Sequence, residues 1–327
     1  MKKNLFLIGL AAMGLALTAC NSDETVEMAK GNAIGFKTFV NNSTRATDTE
    51  ESNFTAFKVW GLMNNGTQTG TPFVGKEVTK GKDGWSYETP VYWEKGYAYS
   101  FVALAPNDAY TFNAPTAINT WGSLTFENDK GEKDLIYATA KQTTVEGNTC
   151  PAAVNLTFNH MLSRVRFQFV NGMDDGSVLT VSNVKITDAC TSGTATLAEQ
   201  LTGLSWTTDQ TTGALEFGDA AAMEQQNAKA ETAHKYMIPA PQAKVYKVTF
   251  KVTRNHNGVT DEYTHTVNLP ETAMKPGNSY QFTATLTAKN INPDEELCQI
   301  KFNPTVTDWG TTWPDNALDV KKPAAGI

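Results

Sequence analysis

The chain of 327 residues has little from which a catalytic or metal centre could be built. It holds four cysteines and four histidines. Cys20 closes the leader, so three cysteines remain, Cys150, Cys190 and Cys298. One thiol stays single whichever two pair, and no disulfide framework is encoded. His160, His234, His256 and His265 lack zinc-ligand spacing, and no metal or cofactor signature is present. Neither a Gly-x-Ser-x-Gly elbow nor a Cys/His nucleophile signature occurs. "GTPFVGKE" at 70–77 comes close to a phosphate loop, but Glu77 stands where a hydroxyl should hold magnesium and no helix follows, so an exposed turn is expected. Positive charge is also sparse: 27 Lys and Arg against 34 Asp and Glu, net charge −7, without a basic cluster to track phosphates. Nucleic acid is therefore excluded as a partner. Glu295-Glu296 and Asp174-Asp175 fall in turn-like segments, where solvation explains them better than a glycosidase pair.

What the chain does have begins at its N-terminus. Lys2 and Lys3 precede an apolar run from Leu5 to Leu17 that is too short for a comfortable membrane span and reads as an export signal. Leu17-Thr18-Ala19-Cys20 resembles a lipobox, so Cys20 is the expected site of acylation and the expected N-terminus after processing. Two or three acyl chains would hold the protein on a membrane far more firmly than the ~10⁴ M⁻¹ of one chain. Asn21-Ser22-Asp23-Glu24 then resembles the acidic signal that sends lipoproteins of the Bacteroidales to the outer face of the outer membrane. Residues 21–53 are polar, apart from the strand-like island "AIGFKTFV" at 33–40. Within this stretch Arg45 is flanked by small polar residues, as in a loop open to a protease.

From Phe54 onward strand-like runs alternate with short turn segments, the pattern of an all-β fold. "FTAFKVWGLM", "GWSYETPVYW", "YAYSFVALAP" and "DLIYATA" are rich in aromatic and branched residues, and "AVNLTFNHMLSRVRFQFV" at 153–170 is the longest such run. Tyr246, Val248, Phe250 and Val252 alternate with Lys247, Thr249 and Lys251, which predicts one buried and one wet face. Asn257-Gly258 follows and predicts a type I′ hairpin. Tyr280, Phe282, Ala284 and Leu286 form a second alternating run after the turn Pro276-Gly277-Asn278. One surface helix is expected over 219–232, where helix formers dominate but the apolar stripe is weak. Seven tryptophans could build a sugar platform, yet Trp60, Trp85 and Trp93 lie in apolar strand patterns that favour packing.

"YWEKGYAYSFVALAP", "DLIYATA", "LTFNHMLSRVRFQFV", "YMIPAPQ" and "VTDWG", in this order and together with the lipobox and Thr44-Arg45-Ala46, resemble the fimbrillin family of Bacteroidales, the pilins of type V fimbriae. The resemblance covers most of the chain from Cys20 to Trp309. It implies an all-β fold of two tandem transthyretin-like β-sandwich domains with few short helices: leader 1–20, propeptide 21–45, N-terminal domain 46–152 and C-terminal domain 153–327. It also implies a non-enzymatic, surface-exposed fimbrial subunit of the outer membrane, without cofactors, that adheres to host or bacterial surfaces. Such a subunit is exported as a lipoprotein, cleaved between Arg45 and Ala46, and polymerised with other pilin subunits by strand exchange. Ile34, Phe36 and Val40 would mark the placeholder strand. Ile300 to Trp309 is expected to end the second domain, which leaves Trp313 and Leu318 as candidate donor residues; Pro314 and Pro323 limit the pairing of that tail. A surface lipoprotein that captures glycans, and an anchor subunit kept on the membrane, are the alternatives.

Overall fold

The apolar alternation resolves into strands in the computed structural model, which describes residues 33–40, 54–106, 108, 110–143, 153–207, 211–294, 298–309 and 313. The first half supplies β1 (Phe36–Val40), β2 (Ala56–Asn64), β3 (Thr69–Gly81), β4 (Gly84–Ser86), β5 (Ala98–Ala105), β6 (Tyr110–Asn113), β7 (Ser123–Glu127), β8 (Ile136–Thr143) and β9 (Val154–His160). The second half supplies β10 (Ser163–Asn171), β11 (Val178–Thr196), β12 (Ser205–Trp206), β13 (Thr211–Met223), β14 (Lys229–Glu231), β15 (Lys235–Met237), β16 (Lys247–His256), β17 (Val259–Asn268), β18 (Asn278–Leu286) and β19 (Asn303–Asp308). The protein is all-β; among the described residues the only helical turn is a 3₁₀ segment at Leu201–Gly203.

Three sheets form. The first has the order β1-β9-β8-β5-β2-β3-β4 and curls around a core that includes Phe57, Phe73, Tyr99, Phe101, Leu156 and Phe158. The second, β14-β10-β18-β19 with β15 beside β10, faces the third, β17-β16-β11-β7-β6 with β12 and β13 beside β11. Between them lies a second core of Val165, Phe167, Phe169, Val248, Phe250, Phe282 and Phe302 among others. The 19-residue β11 runs past this core, and its far end pairs with β7 from the first half, Ser192 opposite Glu127 to Thr196 opposite Ser123. There a third core joins Val102 and Leu104 of β5 to Leu124, Phe126, Ala195, Trp206 and Trp309. β5 thus packs against apolar side chains on both faces, which explains its unbroken apolar sequence.

The alternation in 246–252 is reproduced: Tyr246, Val248, Phe250 and Val252 are buried. The turn that follows has positive φ at both Asn257 (52°) and Gly258 (82°), as a type I′ hairpin requires. Other expectations fail. Residues 219–232 form no helix; they contribute the end of β13, and β14. Leu215, Phe217, Ala220 and Met223 are buried on β13, and register shifts against β11 absorb their uneven spacing. Packing onto a twisted sheet outweighs the helix preference of the alanines, worth at most a few tenths of a kcal/mol per residue, about 0.7 at the extreme. Residues 70–77 are not a turn but lie within β3. Gly75 there has φ +65°, and a Cβ on it would stand 3.2 Å from the Trp60 ring.

Candidate functional site

Segment 33–40 is fixed to the first sheet along both of its sides. β1 runs parallel to β9, from Phe36 opposite Val154 to Val40 opposite Phe158. On the other side Ala33 bridges Tyr92, and the Ile34 N–H donates to the Val91 carbonyl at 2.8 Å. The Tyr87 hydroxyl donates to the Ile34 carbonyl at 2.6 Å. Burial raises the Tyr87 pKa above its ordinary value, so this phenol stays protonated and remains a donor. The segment therefore closes the curled sheet, joining β9 to the loop at 87–92.

Its side chains follow the expected period of two at the start. Ile34 and Phe36 are buried, Val40 is half-buried and Phe39 faces outward. Phe36 sits among four rings, with centroid distances of 5.9 Å to Phe57, 5.5 Å to Phe73, 6.0 Å to Tyr87 and 6.0 Å to Phe101, all edge-on. Without segment 33–40 this aromatic cage and the free edge of β9 would be open to solvent. Cys20, Arg45, Ala46 and Leu318, singled out from the sequence, lie outside the described residues, as does Cys150. Cys190 and Cys298 are free thiols, the first buried and the second exposed.

Toward the other end of the chain a site appears that the sequence reading missed. β10 and β18 pair in parallel, and their second face carries Arg164, Arg166, Gln168, Ser279, Gln281 and Thr283, all buried. Trp313, 1 % exposed, lies over both arginines, its ring 4.4 Å from the Arg164 guanidinium carbon and 4.3 Å from that of Arg166. Arg164 donates to the Ser279 hydroxyl (3.0 Å) and the Trp309 carbonyl (3.2 Å); Arg166 donates to Gln281 Oε1 and Glu231 Oε2 (both 2.6 Å). Trp309 is stacked between His160 (4.3 Å) and Tyr236 (5.5 Å), and His160 Nδ1 bonds the buried Asp134 at 3.0 Å. The available signal was two arginines at period two inside an apolar strand, a charge pattern that needs flat, electron-rich partners if it is to be buried.

A repeated corner was also missed. Gly96-x-x-Tyr99-x-Phe101 and Gly277-x-x-Tyr280-x-Phe282 share one geometry: the glycines have φ +78° and +72°, and each tyrosine hydroxyl accepts a 2.8 Å bond from the backbone N–H five residues earlier, Glu94 or Lys275. Burial raises both phenol pKa values.

Among solved structures the chain resembles a fimbrial protein from Bacteroides vulgatus, with a TM-score of 0.65, 15 % identity and coverage of 85 % of this chain and 99 % of the other. It also resembles a candidate cell adhesion protein from Bacteroides ovatus, with a TM-score of 0.54, 14 % identity and coverage of 85 % and 97 %. At such identities the likeness speaks for the fold. Among curated proteins none matches. The fimbrillin-like family profile matches residues 44–309, most of the chain, and the protein is a member of the fimbrillin-like family.

Proposed function

We propose that this protein is a fimbrial subunit with a structural and adhesive role, exported as a surface lipoprotein through Cys20 and cleaved between Arg45 and Ala46. In this reading it assembles with other pilin subunits by strand exchange at the outer membrane. Family membership and the fimbrial and adhesion-type relatives support the coarse part of this reading. One observation carries the finer part. The segment upstream of Arg45 seals the first sheet through Ile34, Phe36 and the parallel pairing of β1 with β9. Cleavage after Arg45 would leave it attached by non-covalent contacts alone, free to be replaced by a strand from the next subunit. Each subunit would then receive one strand and donate one, so growth is head to tail and open-ended.

The donor belongs to the C-terminal tail, and Trp313 and Leu318 are its candidate apolar residues. Trp313 is seated on its own chain between Arg164 and Arg166, so donating it means exchanging that stack for a neighbour's groove. The experiment is to follow Arg45→Ala and a deletion of residues 311–327 in cells. Arg45→Ala is expected to leave a full-length, membrane-bound precursor without high-mass polymer. The deletion is expected to give a cleaved monomer that does not extend. Heat-sensitive ladders from either variant would overturn strand exchange by this route, and unchanged palmitate labelling of Cys20→Ala would overturn acylation at Cys20.

A further inference from the structure

Lys76, from the stretch that comes close to a phosphate loop, points the wrong way for a lysine. On β3 Phe73 and Val78 face the first core, and an unbroken strand would send Lys76, three residues after Phe73, to the opposite face from that ring. A bulge prevents this: between the pairs Gly61–Phe73 and Val59–Lys76, the single residue Trp60 of β2 stands opposite both Val74 and Gly75. Gly75, with φ +65°, supplies the left-handed residue of the bulge. Lys76 is therefore paired with the buried Val59 and lies half-buried on the core side of the strand.

There it holds the loop at 87–92. Its ammonium donates to the carbonyls of Glu88 (2.8 Å) and Thr89 (2.9 Å) and lies 5.4 Å from the centre of the Tyr87 ring. Thr89 has φ +56°, a region that β-branched residues seldom adopt, so this turn is strained and must be held by its contacts. The loop in turn holds segment 33–40. The Ile34 N–H donates to the Val91 carbonyl at 2.8 Å, the Val91 N–H donates to the Tyr87 hydroxyl at 3.3 Å, and that hydroxyl donates to the Ile34 carbonyl at 2.6 Å. A side-chain hydroxyl thus stands between two backbone groups that a paired strand would join directly.

The two sides of segment 33–40 are unequal. On the β9 side five residues are in register, and Val154, Leu156 and Phe158 are buried. On the loop side, among the described residues, there is one bridge and the hydroxyl-mediated bond, and Glu88, Thr89, Pro90 and Tyr92 are exposed. A strand bonded on both sides cannot leave sideways unless one neighbour moves, and the neighbour with less buried surface moves at lower cost.

We infer that loop 87–92 is a strap closed over segment 33–40, that Lys76 is the clasp that holds it shut, and that the segment leaves by opening of the strap while β9 stays in place. The inference rests on the removable segment of the proposed function and adds the route by which it is removed.

The test has two parts. In the uncleaved full chain, hydrogen exchange resolved to single amides should find Ile34, bonded to the strap, at least tenfold less protected than Val154, which donates to the Gly35 carbonyl at 2.8 Å on the β9 side. Lys76→Met, which keeps the stem and removes the ammonium, should lower the protection of Ile34 further and leave that of Val154 unchanged. In the chain cut after Arg45 by an arginine-specific protease, the N-terminal fragment should be lost about tenfold faster from Lys76→Met and from Tyr87→Phe than from the unaltered protein, as timed by mass spectrometry, since each variant loses hydrogen bonds worth a factor of that order. Lys251→Met, which breaks the pair with Glu262 between β16 and β17, should leave the rate as it is. Protection of Ile34 equal to or above that of Val154 overturns the inference. So does a rate of fragment loss that Lys76→Met leaves unaltered, or that Lys251→Met raises as much. Faster loss from Lys76→Met in a cut chain that never polymerises supports the strap and rejects strand exchange, so the two failures are told apart.

Discussion

The first sheet and the pair formed by the second and third sheets solve the same problem in two ways. Both contain the Gly-x-x-Tyr-x-Phe corner, and both bury an Ile-x-Phe segment in an aromatic core: Ile34 and Phe36 in the one, Ile300 and Phe302 in the other. In the first the segment is bonded on both sides, to β9 and to the loop at 87–92, and the sheet closes. In the second it leads into β19, which among the described residues pairs with β18 alone, and a cleft remains beside β17. The difference lies in connectivity. The first plug precedes the rest of its sheet and is joined to it by a stretch that contains Arg45, whereas the second is continuous with its own sheet. One cut in that stretch would leave the first plug held by non-covalent contacts alone, whereas the second would stay covalently joined to its sheet.

The largest expected effect breaks this comparison at the plugs. Phe36→Ala and Phe302→Ala each remove a buried ring, and each should destabilise its core by about 3–5 kcal/mol in the uncleaved chain. Chemical denaturation followed by tryptophan fluorescence measures both. After cleavage at Arg45 the two should diverge. Phe36→Ala should speed loss of segment 21–45 from the protein, as read by mass spectrometry, while Phe302→Ala should leave that rate unchanged. Equal effects on retention would mean that the plugs are not distinguished by connectivity.

A smaller effect sharpens the likeness. Tyr99→Phe and Tyr280→Phe each delete one hydroxyl that accepts a backbone N–H, so each should cost about 0.5–1.5 kcal/mol by the same denaturation measurement. Unequal losses beyond that range would show that the two corners carry different loads.

The smallest effect is confined to the second region. Burial lowers the pKa of His265 from 6.5 in the folded chain, so the unfolded chain binds the additional proton first. Its contribution to stability is complete above pH 6.5 and is lost as the pH falls through the lower, folded value. Melting temperature should therefore fall less between pH 7.5 and pH 5.5 in His265→Phe than in the unaltered protein, by about a degree or two for a sub-kcal/mol term. An identical fall in both proteins would remove His265 as the cause.

Much of the fold was legible because it rests on local pattern. Period-two alternation located 246–252 and 280–286, and Asn257-Gly258 located the hairpin that joins β16 to β17, because strand faces and positive φ are properties of a few adjacent residues. "AIGFKTFV" stood out as a strand for the same reason. The helix expected at 219–232 failed because alanine-rich propensity is weak compared with pairing along β11, a partner some forty residues away. The arginines of β10 were invisible as a site because Trp313, which covers them, is remote in sequence, and cation–π stacking has no local signature.

By itself the sequence determined that the protein is all-β, where most strands and turns fall, and that an apolar strand stands ahead of the main run at 33–40. These follow from side-chain polarity, period and composition, which act over a few residues. Tertiary structure alone decided that β1 runs parallel to β9 and is tied to Ile34's partners at 87–92, that β6 and β7 cross to the sheet of the second half, and that His265 is buried against Phe250 with Nε2 unpaired. Each of these depends on which distant strands meet. That choice is governed by how apolar faces share buried area across the whole chain, a quantity with no counterpart in any short stretch of sequence.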